Sequence, residues 1–134
     1  MPDGSLRPAR AVQVLLAEDE PHIRRVLTSL LESAGFEVQV ARNGREALDH
    51  LLSERPFDLV LSDLMMPEVT GIELLRAARE LPARAGTPIV ILTAKGQDVD
   101  RREALSLGAA DFITKPFSPK KLLGRVDQLL TREG

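Results

Sequence analysis

The chain contains no cysteine, no tryptophan and no tyrosine, and only four phenylalanines among 134 residues. Without cysteine, disulfides, thiolate nucleophiles and zinc–thiolate centres are excluded. With so few aromatic rings, the core must be built from Leu, Val, Ile and Ala, which suits helices packed on a sheet. No apolar run approaches the ~18 residues a membrane span needs. The opening Met1-Pro2-Asp3-Gly4-Ser5-Leu6-Arg7 holds no apolar stretch of the signal-peptide kind. A soluble, cytoplasmic protein that touches no membrane is therefore expected. A strong positive charge is also missing: the net charge is −2 and the pI about 5.7. Direct nucleic-acid binding favours a basic face and a high pI, so it is not expected. The doublets Arg24-Arg25, Arg101-Arg102 and Lys120-Lys121 then read as solvated surface.

What is present is 43% hydrophobic and 28% charged residues, the balance of an ordinary globular chain with room for one domain. Residues 1–10, rich in Pro, Arg and Gly and without periodicity, read as a flexible arm, and residues 11–132 as the domain. Five short apolar runs alternate with amphipathic stretches. The runs are Val12–Ala17, Phe36–Ala41, Phe57–Ser62, Pro88–Thr93 and Asp111–Thr114. Their length and β-branched content predict strands. Between them, Ile23, Val26, Leu27, Leu30, Leu31 and Ala34 fall on one helical face, opened by Pro21 and stopped by Gly35. Asn43 with Glu46 has capping-box spacing and opens a helix through Leu52. Further helices are predicted over Ile72–Arg84, over Asp98–Leu107 with Gly108 as its stop, and after the Ser118-Pro119 cap. Strict β-α alternation implies a parallel sheet with right-handed crossovers, hence a three-layer α/β/α sandwich built from five βα units.

In such sheets ligands sit outside the carboxyl ends of the strands. The residues there form a short group: Glu18-Asp19-Glu20 after the first strand, Asp63 after the third, Thr93 at the fourth and Lys115-Pro116 after the fifth. Two carboxylates ~5 Å apart repel by roughly 3 kcal/mol at an effective dielectric near 20. Such a cluster calls for a cation, and hard oxygen donors shared with water and phosphate describe magnesium. Glu20, directly before Pro21, also reads as a helix cap. Asp63 is followed by the loop Leu64-Met65-Met66-Pro67, where no helix needs its carboxylate. Lys115 supplies a compact positive charge and Thr93 a hydroxyl donor. Together these groups can receive a phosphoryl group and stabilise its charge.

Four segments carry a resemblance: Leu15–Glu20, Asp58–Pro67 with Gly71, Ile89–Ala94 and Gly108–Phe117. The chain resembles a response-regulator receiver domain of two-component signalling over about residues 12–132. The resemblance implies a flavodoxin-like fold with strand order 2-1-3-4-5, as in chemotaxis members of that family. It implies Asp63 as phosphoryl acceptor, with Mg2+ (Mn2+ as substitute) held by Asp19, Asp63, the Met65 carbonyl and Glu18, directly or through water. It places Lys115 and the Ala94 amide on phosphoryl oxygens, with Lys115-Pro116 a cis peptide. It makes Thr93 and Phe112 a switch pair, Phe112 standing where the family often has Tyr. Met65 and Lys95 occupy positions that tune phosphoryl lifetime; a thioether holds an attacking water poorly, so a long-lived phosphoryl group is expected.

The implied partners are a sensor histidine kinase or a histidine phosphotransfer protein, and a downstream protein docked by a phosphorylation-dependent face. The expectation is a phospho-acceptor switch, not an enzyme, monomeric or weakly dimeric, with no effector domain. Three other readings stand beside this one. An aspartate-nucleophile phosphatase would carry a second Asp where Met65 stands. A flavin or nucleotide binder would have Gly, Ser or Thr amides after the first strand, where this chain is acidic. A scaffold receiver working without phosphorylation would not need Asp19, Asp63, Thr93 and Lys115 together. His22 and His50 read as surface helix residues.

Overall fold

Five strands and five helices alternate along the chain. They are β1 (Gln13–Ala17), α1 (Pro21–Ser33), β2 (Glu37–Ala41), α2 (Gly44–Leu52), β3 (Leu59–Asp63), α3 (Gly71–Arg79), β4 (Ile89–Thr93), α4 (Asp98–Ser106), β5 (Asp111–Thr114) and α5 (Pro119–Thr131). This computed structural model describes residues 11–94, 98–115 and 117–131. The N-terminal arm, Lys95 and the Lys115-Pro116 bond lie outside the described residues.

All pairings are parallel and the strand order is β2-β1-β3-β4-β5. The inner strands β3 and β4 are buried at every residue, as expected where both faces of a parallel sheet are covered. Side chains alternate between those faces. Leu15, Ala17, Val60, Ile89 and Ile91 join α2, α3 and α4 in one apolar cluster. Val14, Leu16, Leu59, Leu61, Val90 and Leu92 join α1 and α5 in the other. The layers are thus α1/α5, sheet, and α2/α3/α4, a flavodoxin-like α/β fold.

Local chemistry explains most helix ends. Glu20 caps α1 by accepting from the His22 amide at 2.6 Å, and Gly35 turns the chain at φ +94°. Asn43 accepts from the Glu46 amide at 2.8 Å, but Glu46 reaches back to the Arg42 amide instead of Asn43. The reciprocal box occurs at Thr70 and Glu73, opening α3. Ser118 accepts from the Lys121 amide at 3.3 Å.

One helix is shorter than the periodicity predicts. α3 ends at Arg79, five residues before Arg84. Pro82 disfavours helical conformation at Leu81 and has no amide to donate. The chain then turns through residues 80–87, which aims Arg84 back at α2. α4 is the most weakly anchored helix: Ala104 is buried, while Val99 and Leu105 remain 60% and 43% exposed.

Candidate functional site

Strand register determines which residues meet. Ala17 pairs with Ser62, Asp63 with Leu92, and Thr93 with Thr114. One step past the Ala17–Ser62 pair, Glu18 and Asp63 stand level at the sheet's carboxyl edge, and Lys115, just after β5 and two residues beyond that level, reaches back to them with its long side chain. Carboxylate oxygens of Glu18, Asp19 and Asp63 all lie within 4.8 Å of one another. Lys115 Nζ stands 2.9 Å from Glu18 Oε1 and 3.7 Å from Asp63 Oδ1. Glu18 is fully buried, Asp63 is 9% exposed and Thr93 2% exposed, while Asp19 and Ala94 sit at the open rim.

Two backbone amides help hold the acids. Leu64 donates to Asp63 Oδ1 at 2.9 Å and Glu20 to Glu18 Oε2 at 3.2 Å. Among the described residues, the Asp19 carboxylate receives no hydrogen bond or ion pair. The Asp63 carboxyl is pushed up to about 6, first by burial and then by the Glu18 charge, with Lys115 and the Leu64 amide pulling the other way. Three carboxylates against one ammonium leave surplus negative charge in a partly desolvated place. The donor set is all hard oxygen, with neither thiolate nor imidazole in it. These residues fit Mg2+ or Mn2+ far better than a soft or borderline metal.

Close packing braces the loop after β3. A Cβ on Gly71 would lie 2.4 Å from the Asp63 carbonyl oxygen, and one on Gly44 would lie 1.7 Å from the Val69 carbonyl oxygen. Both positions therefore need glycine, so that α3 and α2 can approach the loop. Within it Glu68 adopts φ +69°, a conformation that costs about 1 kcal/mol in a non-glycine residue. Met65 projects outward, 66% exposed, directly beyond Asp63.

A groove of about 760 Å³ opens beside the acids and runs between α1 and the start of α5, past Ile23, Leu27, Leu30 and Phe117. His22 lines its rim and is exposed. His50 is remote and half-buried, its ring edge-on to Phe57 at 6.2 Å, so it is less a surface residue than the sequence suggested. On the opposite side, Phe112 is 3% exposed within the α2/α3/α4 cluster.

Two arginines of the basic doublets bond backbone carbonyls, a role that a solvent-facing reading does not include. Arg24 Nη1 donates to the Glu18 carbonyl at 2.9 Å and the Asp19 carbonyl at 3.4 Å. Arg101 Nη1 donates to the Phe112 carbonyl at 3.1 Å, with its guanidinium 5.8 Å from the Phe112 ring centroid. Arg24 is half-buried beside the exposed Arg25, whereas Arg101 and Arg102 are both exposed. A signal was available: Arg24 lies in the first turn of α1, four residues after a run of acids whose carbonyls a turn of helix brings within reach.

Comparison with known proteins gives a consistent result. Residues 14–127 match the family model of the response regulator receiver domain. The transcriptional regulatory protein SrrA of Staphylococcus aureus is 43% identical over 120 residues, covering 90% of this chain and 48% of that protein. The chain thus spans about half the length of that relative. Among solved structures, the chemotaxis protein CheY4 of Vibrio cholerae is 35% identical with a TM-score of 0.84, covering 90% of this chain and all of that one. The receiver domain of sensor histidine kinase PA1611 from Pseudomonas aeruginosa is 27% identical with a TM-score of 0.82, covering 90% of this chain and 98% of that one. That structure has a magnesium ion coordinated in its active-site cleft.

Proposed function

The chain belongs to the response-regulator receiver family of two-component signalling, and from that premise we propose that it is a phosphorylation-operated switch whose acceptor is Asp63. The observation that carries this reading is one carboxylate in its setting. Asp63 lies at the end of an inner strand, 9% exposed, with Lys115 3.7 Å away on one side and two acids on the other. Its raised pKa reflects burial and the charge on Glu18. Transfer forms a bond from an Asp63 carboxylate oxygen to phosphorus as the nitrogen–phosphorus bond of a phosphohistidine donor breaks. That donor is a sensor histidine kinase or a histidine phosphotransfer protein.

Glu18, Asp19, Asp63 and the Met65 carbonyl would hold Mg2+, with Mn2+ as a substitute. When bound, the metal supplies positive charge against the acids and the phosphoryl oxygens. Lys115, paired with Glu18 in the structure at 2.9 Å, turns its ammonium to the incoming phosphoryl group. The Thr93 hydroxyl and the Ala94 amide take the remaining oxygens. Phosphorylation adds up to two negative charges at Asp63. Thr93 and Phe112 repack in response, and α4 and β5 shift a protein-binding face. α4 suits that role because its apolar side is sparsely buried.

This assigns the chain a switch function in the cytoplasm, not turnover of substrates. None of its described helices is long and apolar enough to cross a membrane. The transcriptional role named for the Staphylococcus relative belongs to a protein about twice this length. Asp63→Asn should abolish incorporation of acid-labile phosphate from acetyl phosphate or a sensor kinase, measured by radiolabelling. Undiminished labelling would overturn the assignment.

A further inference from the structure

We propose that Arg24 is a positioning residue for the divalent cation, acting through the backbone of Glu18 and Asp19 and not through contact with the metal. The inference rests on the metal reading given above.

The β1–α1 loop carries three consecutive acids, Glu18, Asp19 and Glu20. Two of them have side-chain partners that hold their carboxylates in place. Glu18 accepts from Lys115 and from the Glu20 amide. Glu20 points away and caps α1 at the His22 amide. Asp19 differs from both. Its carboxylate lies within 4.8 Å of those of Glu18 and Asp63, receives no hydrogen bond among the described residues, and sits at the exposed rim. Repulsion from its neighbours favours rotating it into water. Its placement is therefore left to the backbone on which it stands.

Arg24 grips that backbone. Its guanidinium donates from Nη1 to both the Glu18 and the Asp19 carbonyl, at 2.9 and 3.4 Å. Its own amide donates to the Glu20 carbonyl at 2.9 Å, and the Thr28 hydroxyl bonds the Arg24 carbonyl at 2.7 Å. The side chain is half-buried against the loop. The loop is thus bracketed on both sides of Asp19: Glu18 hangs from β2 through its amide on the Ala41 carbonyl at 3.1 Å, and α1 begins at Pro21. The two N–H groups of Nη1 are fixed in the guanidinium plane and so serve two adjacent carbonyls, a fixed geometry that a freely rotating ammonium lacks.

The sign of the effect on metal affinity tests the idea. Arg24 is a cation close to a cation site, so its charge alone opposes Mg2+. Removing it would tighten binding if charge were its whole contribution. If Arg24 orients Asp19, removing it weakens binding instead. Partners one layer out from metal ligands typically contribute 10–100-fold to affinity when they bond the ligand side chain; acting through backbone, Arg24 should contribute about five- to tenfold.

Mg2+ is titrated into the intact chain at fixed, near-physiological ionic strength, following amide NMR shifts, because the chain has no Trp or Tyr for intrinsic fluorescence. Thermal unfolding by circular dichroism is recorded on the same samples. Arg24→Ala should raise the Mg2+ dissociation constant about five- to tenfold while the protein stays folded. Arg24→Lys, which keeps the charge but loses the fixed pair of N–H groups on Nη1, should fall between Arg24→Ala and the native chain, and it carries the test if the alanine variant unfolds. Arg25→Ala, an equal loss of charge from the exposed neighbour, should leave the constant unchanged or lower it. Unchanged or tighter binding in Arg24→Ala, or in Arg24→Lys where it stands in, would overturn the proposal. Asp19→Asn separates the two readings. If the native chain binds Mg2+ no better than Asp19→Asn does, the metal reading itself fails and Arg24 is a loop brace.

Discussion

The two ends of the sheet treat buried charge in opposite ways. At the amino ends of the strands, Arg84 is 5% exposed and donates to the carbonyls of His50, Leu51, Ser53 and Arg55, at 2.7–3.4 Å. Its guanidinium also lies 5.2 Å from the Phe57 ring centroid. Arg79 donates to the carbonyls of Arg84, Ala85, Thr87 and Gly108 at 2.6–3.5 Å, and burial lowers its pKa. No carboxylate is needed: the negative ends of backbone dipoles satisfy both cations, and the loops after α2, α3 and α4 are tied together. At the carboxyl ends, three carboxylates face one another with a single ammonium among them. The first arrangement is complete within the chain. The second keeps a surplus of negative charge, which under the proposed function a cation offsets.

The largest expected effect lies at the complete end. Arg84→Ala leaves several inward carbonyls without donors, each worth about 1–3 kcal/mol when it stays unsatisfied. Partial access to water reduces the sum, so a loss of about 3 kcal/mol is expected in urea unfolding, with Arg84→Lys restoring little. Mg2+ binding, measured on the folded variant, should not change. A loss below about 1 kcal/mol would show that the carbonyl cradle is no more than surface hydrogen bonding.

The incomplete end should respond in the opposite direction. In chelator-treated protein, Asp63→Asn removes one of the repelling carboxylates and should raise stability at pH 7–8 by about 1–2 kcal/mol. That figure is the roughly 3 kcal/mol repulsion of two carboxylates discounted for the opposing Lys115 charge. The pH dependence follows from the raised pKa. Asp63 titrates near 6 in the folded chain, above the ordinary carboxyl value of 3.8. Folded protein therefore holds a proton that the unfolded chain has already lost, and native stability falls as pH rises from about 4 to about 6. The advantage of Asp63→Asn should thus be absent below about pH 4, grow through that window and level off above about 6. Added Mg2+ should reduce it by stabilising the native chain. A destabilised Asp63→Asn in metal-free buffer at pH 7 would mean that Lys115 outweighs Glu18 and Asp19.

How much of each end the sequence revealed follows from the same contrast. The acids, Thr93 and Lys115 were legible because each closes a strand: the parallel register brings Glu18 level with Asp63, and the length of the Lys115 side chain spans the two residues by which it overshoots them. The strands and layers were legible for a similar reason, since apolar runs and helical periodicity are local patterns. Arg84 was not. It fell inside the apparent periodicity of α3, and its role depends on the chain turning at Pro82 and on carbonyls about 30 residues earlier in sequence. Arg24 was hidden in a doublet whose pattern does not tell a half-buried member from an exposed one, and Arg101, exposed itself, gave no sign that it would bond the Phe112 carbonyl. Gly71 was visible as part of a motif, but its need to clear the Asp63 carbonyl became apparent only in three dimensions. Residue type and strand position carry over directly from sequence to structure, whereas side chains that bind backbone do not.

The smallest expected effect is at the rim of the acid site, where lifetime, not stability, is at issue. Met65 stands directly beyond Asp63 with 66% of its surface exposed, and no polar group of its side chain can hold a water for attack on the phosphoryl group. Replacing it by Asn supplies an amide that can accept from and donate to such a water. Met65→Asn should shorten the phosphoryl lifetime several-fold, a change of about 1 kcal/mol in the barrier, as followed by the decay of radiolabelled protein after the phosphodonor is removed. Circular dichroism should show no matching loss of stability, because an exposed side chain contributes little to folding. If the lifetime is unchanged, the water must be held from elsewhere on the rim. Asp19 would then be the next group to vary, because its carboxylate is the exposed one in the cluster, free of hydrogen bonds among the described residues.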